Sequence, residues 1–365
     1  MKIGITCYPT YGGSGIVATE LGMELAARGH DVHFISYAQP VRLVPSMERL
    51  HFHEVEVSNY PLFVYPPYDL ALAARMAEVA ERYQLDVLHV HYAIPHSISA
   101  FLAKQMTASR RRLPFITTLH GTDITLVGVE PSYFEITKFS IDVSDGVTTV
   151  SQYLKDRTEQ VFAVKSQIQV IHNFVNINLY HPPAEPRSGV RRLIHVSNFR
   201  PVKRPLDCIR LLQRVLKDAD AELWMVGDGP ERGPAERLAH ELGVLDRTKF
   251  LGKQDRVEEL LPQADALLLP SEHEAFGLAA LEAMACGVVP VATRTGGVAE
   301  LITEGVDGFL EEVGDVEAQA LRVLALLNDA GLRERMSRAA RATAHGRFST
   351  DLVIPEYEKF YRTVC

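Results

Sequence analysis

Short apolar runs rich in β-branched residues alternate along the chain with longer segments whose apolar residues recur at helical spacing. Such runs, bounded by turn residues, are typical of strands buried on both faces of a sheet. In the first half they predict strands at Lys2–Cys7, Asp31–Ser36, Val87–His91, Phe115–Leu119 and Gly146–Val150. In the second half they predict strands at Arg192–Ser197, Glu222–Val226, Lys249–Leu251, Ala266–Leu269 and Val288–Ala292. The segments between them predict helices, among them Gly15–Arg28, Leu70–Tyr83 and Pro205–Lys217.

Strands that alternate with helices in this way predict an α/β fold with doubly wound parallel sheets. The 365-residue length favours two domains, and the proline-rich segment 178–189 separates the two halves as a linker would. We predict Rossmann-like domains at residues 1–175 and 176–345, with a C-terminal helix at about 346–365 that packs back on the first. The two domains would face each other across a cleft, and ligands would bind at the carboxyl ends of the strands.

Composition narrows the class of protein. A net charge of −8 and a pI near 6.0 argue against nucleic acid as the main partner. We interpret the basic run Arg110–Arg112 as a solvated helix end, and no stretch approaches the roughly 18 apolar residues of a membrane span. The N-terminus has no signal-peptide core, and the four scattered cysteines predict free thiols. We therefore expect a cytoplasmic protein without stable membrane association, while a homodimer is left open.

Two glutamates eight residues apart, Glu274 and Glu282, stand out within residues 270–287. This segment follows the apolar run 266–269 and continues into a helix rich in Ala, Leu and Met, with Phe276-Gly-Leu at the turn. We predict one carboxylate on the loop before the helix and the other about two turns inside it. Backbone N–H groups at a helix N-terminus favour anions. Carboxylates beside such an anion site suit a ligand that carries both hydroxyls and phosphates.

The run Gly12-Gly13-Ser14-Gly15 follows the first predicted strand and opens the first helix. Glycines there let the backbone approach a ligand closely, and the helix N-terminus then faces that ligand. The run is not Gly-x-Gly-x-x-Gly, and no acidic residue ends a second strand, so a nicotinamide cofactor is not expected. Tight-turn geometry without a ligand would also explain the run.

The corresponding loop of the second half carries three cations. The segment 197–204 follows its first strand and places Arg200, Lys203 and Arg204 near a phosphate-sized target. Lys203 is the preferred cation, because a leaving diphosphate needs a fixed positive charge when no metal is present. A charged surface loop would contain the same residues. Gly227 opens another tight turn after a strand, which suits either a nucleotide contact or turn chemistry alone.

Polar residues also end a strand of the first half. His120 and Asp123 lie at the carboxyl edge of the predicted strand 115–119. We predict a functional role for His120 because that edge would face the cleft, and we interpret His89 and His91 as core residues. No His/Cys cluster has metal-ligand spacing and no Gly-x-Ser-x-Gly motif occurs, so neither a metal site nor a serine nucleophile is predicted.

Together these motifs resemble the retaining glycosyltransferases of family 4, which have the GT-B fold. The resemblance rests on the glutamate pair, the lysine loop and the N-terminal Gly-Gly loop, and it covers essentially the whole chain. In the first half it is narrower and points to the subgroup of the bacillithiol pathway. The strings that carry this narrower resemblance are residues 6–20, 57–63 with 65–70, 90–96 and 119–125.

The resemblance implies roles for the matching residues. Glu274 would hold the 3- and 4-hydroxyls of the sugar, Glu282 the uridine ribose and Lys203 the diphosphate. His120 would lie near the C6 hydroxyl of the donor sugar, and the amide of Gly13 would contact phosphate or acceptor. Further donor contacts are expected at Asn198, Arg200, Gly227, Phe276, Gly277 and Leu278. The motifs do not assign the acceptor contacts, for which we expect Ser14, Tyr92, Thr118 and Asn173, and then Arg294.

One position departs from the family pattern. Many relatives carry Gly-Arg where this chain has Ser197-Asn198, five residues before the lysine. The second cation for the diphosphate would then be Arg200 or Arg204.

The resemblance further implies that UDP-N-acetylglucosamine and L-malate are the substrates and that no metal or other cofactor is needed. Retention without a nucleophile favours front-face attack, with the β-phosphate accepting the proton. Two glutamates on one loop–helix segment do not straddle a sugar, which disfavours a glycosidase. The alternatives are a family-4 enzyme with another small polar acceptor, a UDP-sugar 2-epimerase, and a nucleotide-sugar-binding regulator without turnover.

Overall fold

The computed structural model describes residues 1–44, 46–58, 61–183 and 189–365. The chain folds into two compact units: unit 1 is residues 1–172 with 353–365, and unit 2 is residues 173–352. Each unit has its own parallel sheet and its own helices, as the α/β pattern predicted. Positions 184–188 of the predicted linker, and positions 59 and 60 of the string 57–63, lie outside the described residues.

The strands of unit 1 are β1 (Lys2–Thr6), β2 (Asp31–Ser36), β3 (Leu50–Glu54), β4 (Val87–His91), β5 (Phe115–Leu119), β6 (Gly146–Thr149) and β7 (Ile168–Val170). They form one seven-stranded sheet in the order β3-β2-β1-β4-β5-β6-β7. The pairs are parallel; Ile3, for example, lies opposite Val32 on one side and Val87 on the other. The central strands β4 and β5 are buried along their whole length, as apolar runs in a doubly covered sheet should be.

The helices of unit 1 are α1 (Gly13–Ala27), α2 (Tyr68–Tyr83), α3 (Ile98–Thr107), α4 (Thr122–Thr125), α5 (Phe134–Asp142) and α6 (Gln152–Phe162). The predicted helices at 15–28 and 70–83 are confirmed, and each begins two residues earlier than expected. Helix α1 packs closely on the sheet at Gly22, where an added Cβ would lie 2.4 Å from the ring of Phe34. A larger residue at this position would push the helix away from the sheet.

Unit 2 contains β8 (Arg191–Val196), β9 (Ala221–Val226), β10 (Thr248–Gly252), β11 (Ala266–Leu269), β12 (Val289–Thr293) and β13 (Phe309–Glu311). Their order in the six-stranded parallel sheet is β10-β9-β8-β11-β12-β13. The helices that follow along the chain are α7 (Pro205–Val215), α8 (Arg232–Glu241), α9 (Val257–Leu260), α10 (Leu278–Ala285), α11 (Val298–Leu301), α12 (Val316–Asn328), α13 (Ala330–Phe348) and α14 (Thr350–Val364). The last helix runs from unit 2 into unit 1, to which residues 353–365 belong.

Three strands were missed by the sequence pattern: β3, β7 and β13. All three end a sheet in the strand order, and two of them are only three residues long. In β3 the alternation Leu-His-Phe-His-Glu places polar rings where a buried strand would carry aliphatic side chains. Edge strands that are short and partly polar give a weak periodic signal.

Sheet order brings the loops with the predicted site residues together within each unit. In unit 1 the strands β1, β4 and β5 are neighbours, so the loops that follow them share one sheet edge. In unit 2 the strands β8 and β11 are neighbours, and the lysine and glutamate loops follow these two strands. Parallel strands end at the same edge of a sheet, which is where α/β folds bind ligands.

The predicted placement of Glu282 two turns inside its helix is wrong. Helix α10 begins only at Leu278, because Gly277 has φ of +94° and a left-handed backbone that ends the preceding loop. Glu282 is therefore the fifth residue of the helix, about one turn from its start.

The interpretation of Arg110–Arg112 as a solvated helix end is also wrong in part. Arg111 donates to the carbonyl oxygens of Ala80 and Leu85, at the end of α2. Arg112 donates to the carbonyl oxygens of Val364 and Cys365, both at 2.9 Å. Arg111 and Arg112 thus bind carbonyl oxygens at the C-terminal ends of α2 and α14, both in unit 1.

Candidate functional site

The N-terminal glycine loop of unit 1 ends in an open helix terminus. Gly12 is extended with φ of −148° and α1 begins at Gly13, so the N-cap residue is a glycine, which has no side chain to cap the terminus. The first amides of an α-helix have no intrahelical partner, so those at Gly13 and Ser14 can receive an anion. Gly15 has a packing role, because an added Cβ would lie 2.5 Å from the carbonyl oxygen of Tyr8.

Two predicted acceptor residues meet at this terminus. The hydroxyl of Ser14 donates to the hydroxyl oxygen of Tyr92 at 3.3 Å. Tyr92 directly follows β4 and has φ of +90°, a strained backbone for a residue with a Cβ. Its ring lies 5.3 Å from that of Tyr8 and 5.6 Å from that of His120. The first loop of the chain and the end of β4 are therefore held against each other by hydroxyl and ring contacts.

His120 follows β5 and is partly buried. Its Nε2 lies 2.8 Å from Nδ1 of His91, and the two rings stack with centroids 5.0 Å apart. Burial lowers the pKa of His120 to about 3 and lowers that of His91 well below its ordinary value. Both rings are accordingly neutral at physiological pH, and only one proton lies between them.

A buried carboxylate, Asp123, ties together the two loops that carry these residues. One oxygen accepts from the amide of Ala93, after β4, at 3.1 Å. The other accepts from the amides of His120 and Gly121, after β5, at 3.2 and 2.9 Å. Burial raises the pKa of Asp123 to about 6, against the lowering effect of these backbone donors. The sequence pattern placed Asp123 at this strand edge but did not indicate that it bridges two loops.

Thr118, another predicted acceptor residue, belongs to an internal hydrogen-bond network. Its hydroxyl is fully buried and lies 2.6 Å from Nε2 of His89 and 2.6 Å from the hydroxyl of Thr148. His89 in turn contacts the hydroxyl of Tyr361 through Nδ1 at 2.8 Å. This internal network connects β4, β5 and β6 to helix α14. Its member Tyr361 lies 272 residues from His89, so no local pattern could have found the contact.

In unit 2 the structure brings Lys203 and Glu274 into direct contact. The ammonium of Lys203 donates to Oε1 of Glu274 at 2.5 Å, and the hydroxyl of Ser271 donates to the same oxygen at 2.9 Å. Lysine has three donors, and one is used here. Oε2 of Glu274 has no partner among the described residues. Both side chains are partly solvent-accessible, at 23% and 11%.

Backbone contacts hold the two loops at a fixed separation. The amide of Glu272 donates to the carbonyl oxygen of Val202 at 2.8 Å, which joins the glutamate loop to the lysine loop. The hydroxyl of Thr295 donates to the carbonyl oxygen of Glu272 at 2.7 Å. The amide of Gly297 donates to the carbonyl oxygen of Glu274 at 3.0 Å. The Lys–Glu pair is thus set by the scaffold around it as well as by its own attraction.

Three further polar side chains of the lysine loop, those of Arg204, Arg200 and Asn198, differ in their partners. Arg204 is held by two carboxylates, Asp207 at 2.6 Å and Glu272 at 2.8 Å. Arg200 is exposed and has no carboxylate partner in the described part of the chain. Asn198, at the position of the expected arginine, has a buried side-chain oxygen that meets no hydrogen-bond partner there. Of the two arginines considered as the second cation, Arg200 is the one whose charge is not already paired.

Glu282 is almost fully buried and is hydrogen-bonded within unit 2. The hydroxyl of Tyr180 donates to its Oε1 at 2.7 Å. Tyr180 itself is completely buried, so this contact fixes the carboxylate from the interior. The tyrosine lies 102 residues earlier, in the segment predicted as a linker, and the sequence did not suggest it.

Three of the expected donor contacts, Phe276, Gly277 and Gly227, have structural roles within unit 2. Phe276 is buried and packs edge-to-face on Phe348, with ring centroids 5.4 Å apart. Gly277 needs its left-handed backbone to start α10 at Leu278. Gly227 has φ of +122°, and an added Cβ would lie 1.7 Å from the carbonyl oxygen of Ser197. A protein contact therefore accounts for this glycine, whether or not a nucleotide also approaches it.

Asn173 and Arg294 belong to unit 2, whereas Ser14, Tyr92 and Thr118 belong to unit 1. Asn173 is buried, and its side-chain oxygen has no hydrogen-bond partner among the described residues. Arg294 donates to the carbonyl oxygen of Leu310 at 2.9 Å and lies near two carboxylates, Glu304 and Glu312.

Within the described ranges, no group of three or more His, Cys, Asp or Glu side chains is arranged to hold a metal ion. In the same part of the chain, no helix combines the length and apolar character needed to span a membrane.

The family comparisons define the class of protein. Residues 11–179 match the model described as Glycosyltransferase Family 4, and residues 177–343 match the model described as Glycosyl transferases group 1. The chain belongs to the glycosyltransferases of this two-part family, and it is an enzyme of that class. The predicted family is confirmed.

Among individual proteins, the chain is 47% identical over 372 residues to N-acetyl-alpha-D-glucosaminyl L-malate synthase of Bacillus anthracis. The match covers 100% of this chain and 97% of that relative. It confirms the narrower resemblance drawn from the strings of the first half.

Solved structures share the whole architecture. The Anabaena protein HepE in complex with UDP-glucose has a TM-score of 0.82 at 21% identity and covers 100% of both chains. A glycosyltransferase of Rickettsia africae has a TM-score of 0.82 at 23% identity and covers 100% of this chain and 98% of its own. At such identities the likeness shows the fold alone, and the predicted GT-B fold is confirmed.

Proposed function

We propose that this chain transfers N-acetylglucosamine from UDP-N-acetylglucosamine to the hydroxyl of L-malate, with retention of the α configuration and release of UDP. This would be the first step of bacillithiol biosynthesis. The observation that carries the proposal is the 47% identity, over 100% of this chain and 97% of the relative, to a protein named for this product. The strings with Ser14, Tyr92 and His120 belong to the part of the chain that resembles the same subgroup.

The contacts of Lys203 and Glu274 support their proposed roles toward the donor. The ammonium keeps two donors for a diphosphate after it has bound Glu274. The carboxylate keeps Oε2 for the 3- and 4-hydroxyls of the sugar, because both of its bonds to the protein use Oε1. Serine, lysine and backbone contacts fix both groups beforehand, and preorganised charges of this kind give the largest electrostatic benefit.

Other residues have proposed roles of lesser weight. Glu282, oriented by Tyr180, would accept from the ribose hydroxyls of uridine. Arg200, whose charge is unpaired in the described chain, would supply the second cation in place of the expected arginine at Asn198. The open terminus of α1 at Gly13 would receive phosphate or a malate carboxylate. Asn198, Gly227, Phe276, Gly277 and Leu278 remain predicted donor contacts, and Thr118 and Asn173 remain predicted acceptor contacts.

The proposed reaction proceeds on one face of the sugar. The malate hydroxyl oxygen forms a bond to C1 while the bond from C1 to the β-phosphate oxygen breaks. The hydroxyl proton passes to the departing phosphate, and the electron pair of the broken bond leaves with UDP. Lys203 and Arg200 would stabilise the charge that develops on the diphosphate, so we propose that no metal ion is required. The cytoplasmic location and the homodimer stay predictions.

An acceptor screen tests this function. UDP release from UDP-N-acetylglucosamine is measured with L-malate, with an inositol phosphate and with fructose phosphate, and without acceptor. We expect release that depends on malate and is negligible with the other acceptors. Release that depends on another acceptor would leave a glycosyltransferase with a different small polar acceptor. Epimerised donor without an acceptor product would point to a UDP-sugar 2-epimerase.

A further inference from the structure

His91 has one ring nitrogen with a partner and one without. It ends β4, its side chain is fully buried, and its Nδ1 lies 2.8 Å from Nε2 of His120. Its Nε2 is buried and has no hydrogen-bond partner in the described part of unit 1. On the other side of the contact, Nδ1 of His120 has no protein partner among the described residues. One end of the pair, Nε2 of His91, is therefore buried without a partner. The other end, Nδ1 of His120, is available to a ligand.

The neighbouring histidines cannot supply a partner for Nε2 of His91. His89 uses both of its ring nitrogens, toward Tyr361 and Thr118. His96 donates from Nδ1 to the backbone carbonyl oxygen of His91 at 2.6 Å, since a carbonyl can only accept. Nε2 of His96 is therefore an acceptor, but it is also without a partner, and no acceptor of the described residues lies within hydrogen-bond distance of Nε2 of His91.

This arrangement decides which nitrogen of His91 carries the proton. A neutral imidazole has one N–H, and the donor must lie either on Nδ1 or on Nε2. An N–H on Nε2 would be a buried donor without an acceptor, a situation that native proteins avoid more strictly than an unmatched acceptor. The proton therefore belongs on Nδ1, from which it is donated to Nε2 of His120.

We propose that His91 is a positioning residue that fixes His120 as the tautomer protonated on Nδ1. Because Nε2 of His120 then accepts from His91, the open nitrogen of His120 is a hydrogen-bond donor. It would bind an oxygen of the nucleotide-sugar, either a sugar hydroxyl or a phosphate oxygen. His120 in this state does not take the proton of the acceptor hydroxyl, which agrees with transfer of that proton to the leaving phosphate. The identity of the ligand rests on the proposed function, but the tautomer does not.

The tautomer can be observed directly by long-range proton–nitrogen NMR of the imidazole rings in the full-length protein. The chain has 14 histidines, and the signals of His120 are assigned by their loss in His120→Gln. We expect a protonated Nδ1 and an unprotonated Nε2 at His120. A protonated Nε2 at His120 in the wild-type protein would overturn the proposal, whatever activity the protein has.

Two variants of His91 separate positioning from packing. Asparagine places its side-chain amide close to where Nδ1 of histidine stands, so His91→Asn keeps a donor toward His120. His91→Leu fills the space and donates nothing. We expect kcat/KM to stay within about threefold in His91→Asn and to fall about tenfold in His91→Leu, the size of one lost hydrogen bond. We also expect mixed tautomers of His120 only in the leucine variant; an unchanged His120 spectrum there would contradict the proposal.

The oxygen that His120 binds is distinguished by ligand. If it belongs to a phosphate, UDP alone shifts the Nδ1 signal of His120; if it belongs to the sugar, only UDP-N-acetylglucosamine does so. If neither ligand shifts this signal at saturating concentration, His120 does not belong to the donor site. If His91→Leu fails to fold, the wild-type spectrum still decides the tautomer.

Discussion

The two units use the ends of their parallel strands in different ways. In unit 1 these ends carry imidazoles, hydroxyls and helix amides. Six histidines of unit 1 have a lowered pKa, and three of them, His91, His96 and His120, lie at or after strand ends; unit 2 has two such histidines, neither at the lysine or glutamate loop. In unit 2 they carry formal charges, with Lys203 bonded to Glu274 and Arg204 held by two carboxylates. We infer that unit 1 positions its ligand through neutral, directional hydrogen bonds and that unit 2 acts mainly through charge.

The largest effect is expected from removing the charge pair of unit 2. Lys203→Ala and Glu274→Gln should each lower kcat/KM for UDP release by about 10²-fold or more, because each removes a preorganised charged contact. The double variant should lose less than the product of the single losses, since the two groups touch. Steady-state kinetics in the presence of malate measure all three.

The exposed lysine two residues after α7, Lys217, provides a matched control, and Lys217→Ala should leave the kinetics unchanged. Near-normal turnover in Lys203→Ala or in Glu274→Gln would exclude that residue from the site and remove the charge-based half of the comparison.

In unit 1 the corresponding test is to replace Asp123, whose carboxylate binds backbone amides of two loops. Asp123→Ala leaves three backbone amides without their acceptor, and Asp123→Asn keeps one acceptor oxygen. Since an unsatisfied buried donor costs roughly 1–3 kcal/mol, we expect at least about a tenfold loss of kcat/KM in the alanine variant and a smaller loss in the asparagine variant.

Asp142 also accepts from backbone amides, those of Lys165 and Ser166, but at the end of α5. Asp142→Asn therefore controls for a general loss of stability and should keep full activity. Equal losses in Asp142→Asn and Asp123→Asn would mean that the loops at the ends of β4 and β5 need no special positioning.

A smaller effect should separate the two arginines of the lysine loop. Arg200→Ala should raise KM for UDP-N-acetylglucosamine several-fold, about 1 kcal/mol for an exposed cation that meets a phosphate. Arg204→Ala should chiefly lower the melting temperature, because it leaves Glu272 without its cation and leaves Asp207 with Arg210 alone. The exposed Arg335 serves as the control. The reverse pattern would make Arg204 the second cation.

The last prediction concerns stability toward acid and leaves turnover at neutral pH unaffected. Burial lowers the pKa of His33 to about 3 and that of His53 to about 4, so both are neutral in the folded state. The unfolded chain binds their protons near pH 6.5, and stability should fall as the pH drops from about 6.5 to about 4. Each such histidine contributes up to about 1.4 kcal/mol per pH unit in this window.

Asp123, whose pKa is raised to about 6, has the opposite sign, because its contribution is lost as the pH rises toward 6. Denaturant unfolding at several pH values measures the net slope. Replacing His33 by leucine should reduce this slope, and an unchanged slope would show that His33 is charged or solvated in the folded protein.

Much of the fold was predictable because its signal is local. Buried strands in parallel sheets are nearly continuous apolar runs, so the central strands such as β4 and β11 were found within a residue or two. The edge strands β3 and β13 were missed because short, partly polar strands have no such run. The turn before α10 was found, but the depth of Glu282 was overestimated, because α10 begins only after the left-handed Gly277 and Glu282 is then one turn inside it.

The site was predictable only as separate residues. Lys203, Glu274 and His120 could be placed at strand ends, but their partners are set by tertiary structure. The contact of Lys203 with Glu274 spans 71 residues, and that of Tyr180 with Glu282 spans 102. Contacts at such separations leave no spacing pattern in the sequence.

The product that we propose for this chain, an α-glycoside of malate, can be observed directly. Proton NMR of a reaction with UDP-N-acetylglucosamine and L-malate follows the anomeric signal of the sugar as UDP appears. We predict one new α-anomeric signal from a malate glycoside, in equal amount to the UDP released. A β-anomeric product, or conversion of the donor to its 2-epimer without any malate glycoside, would contradict the account.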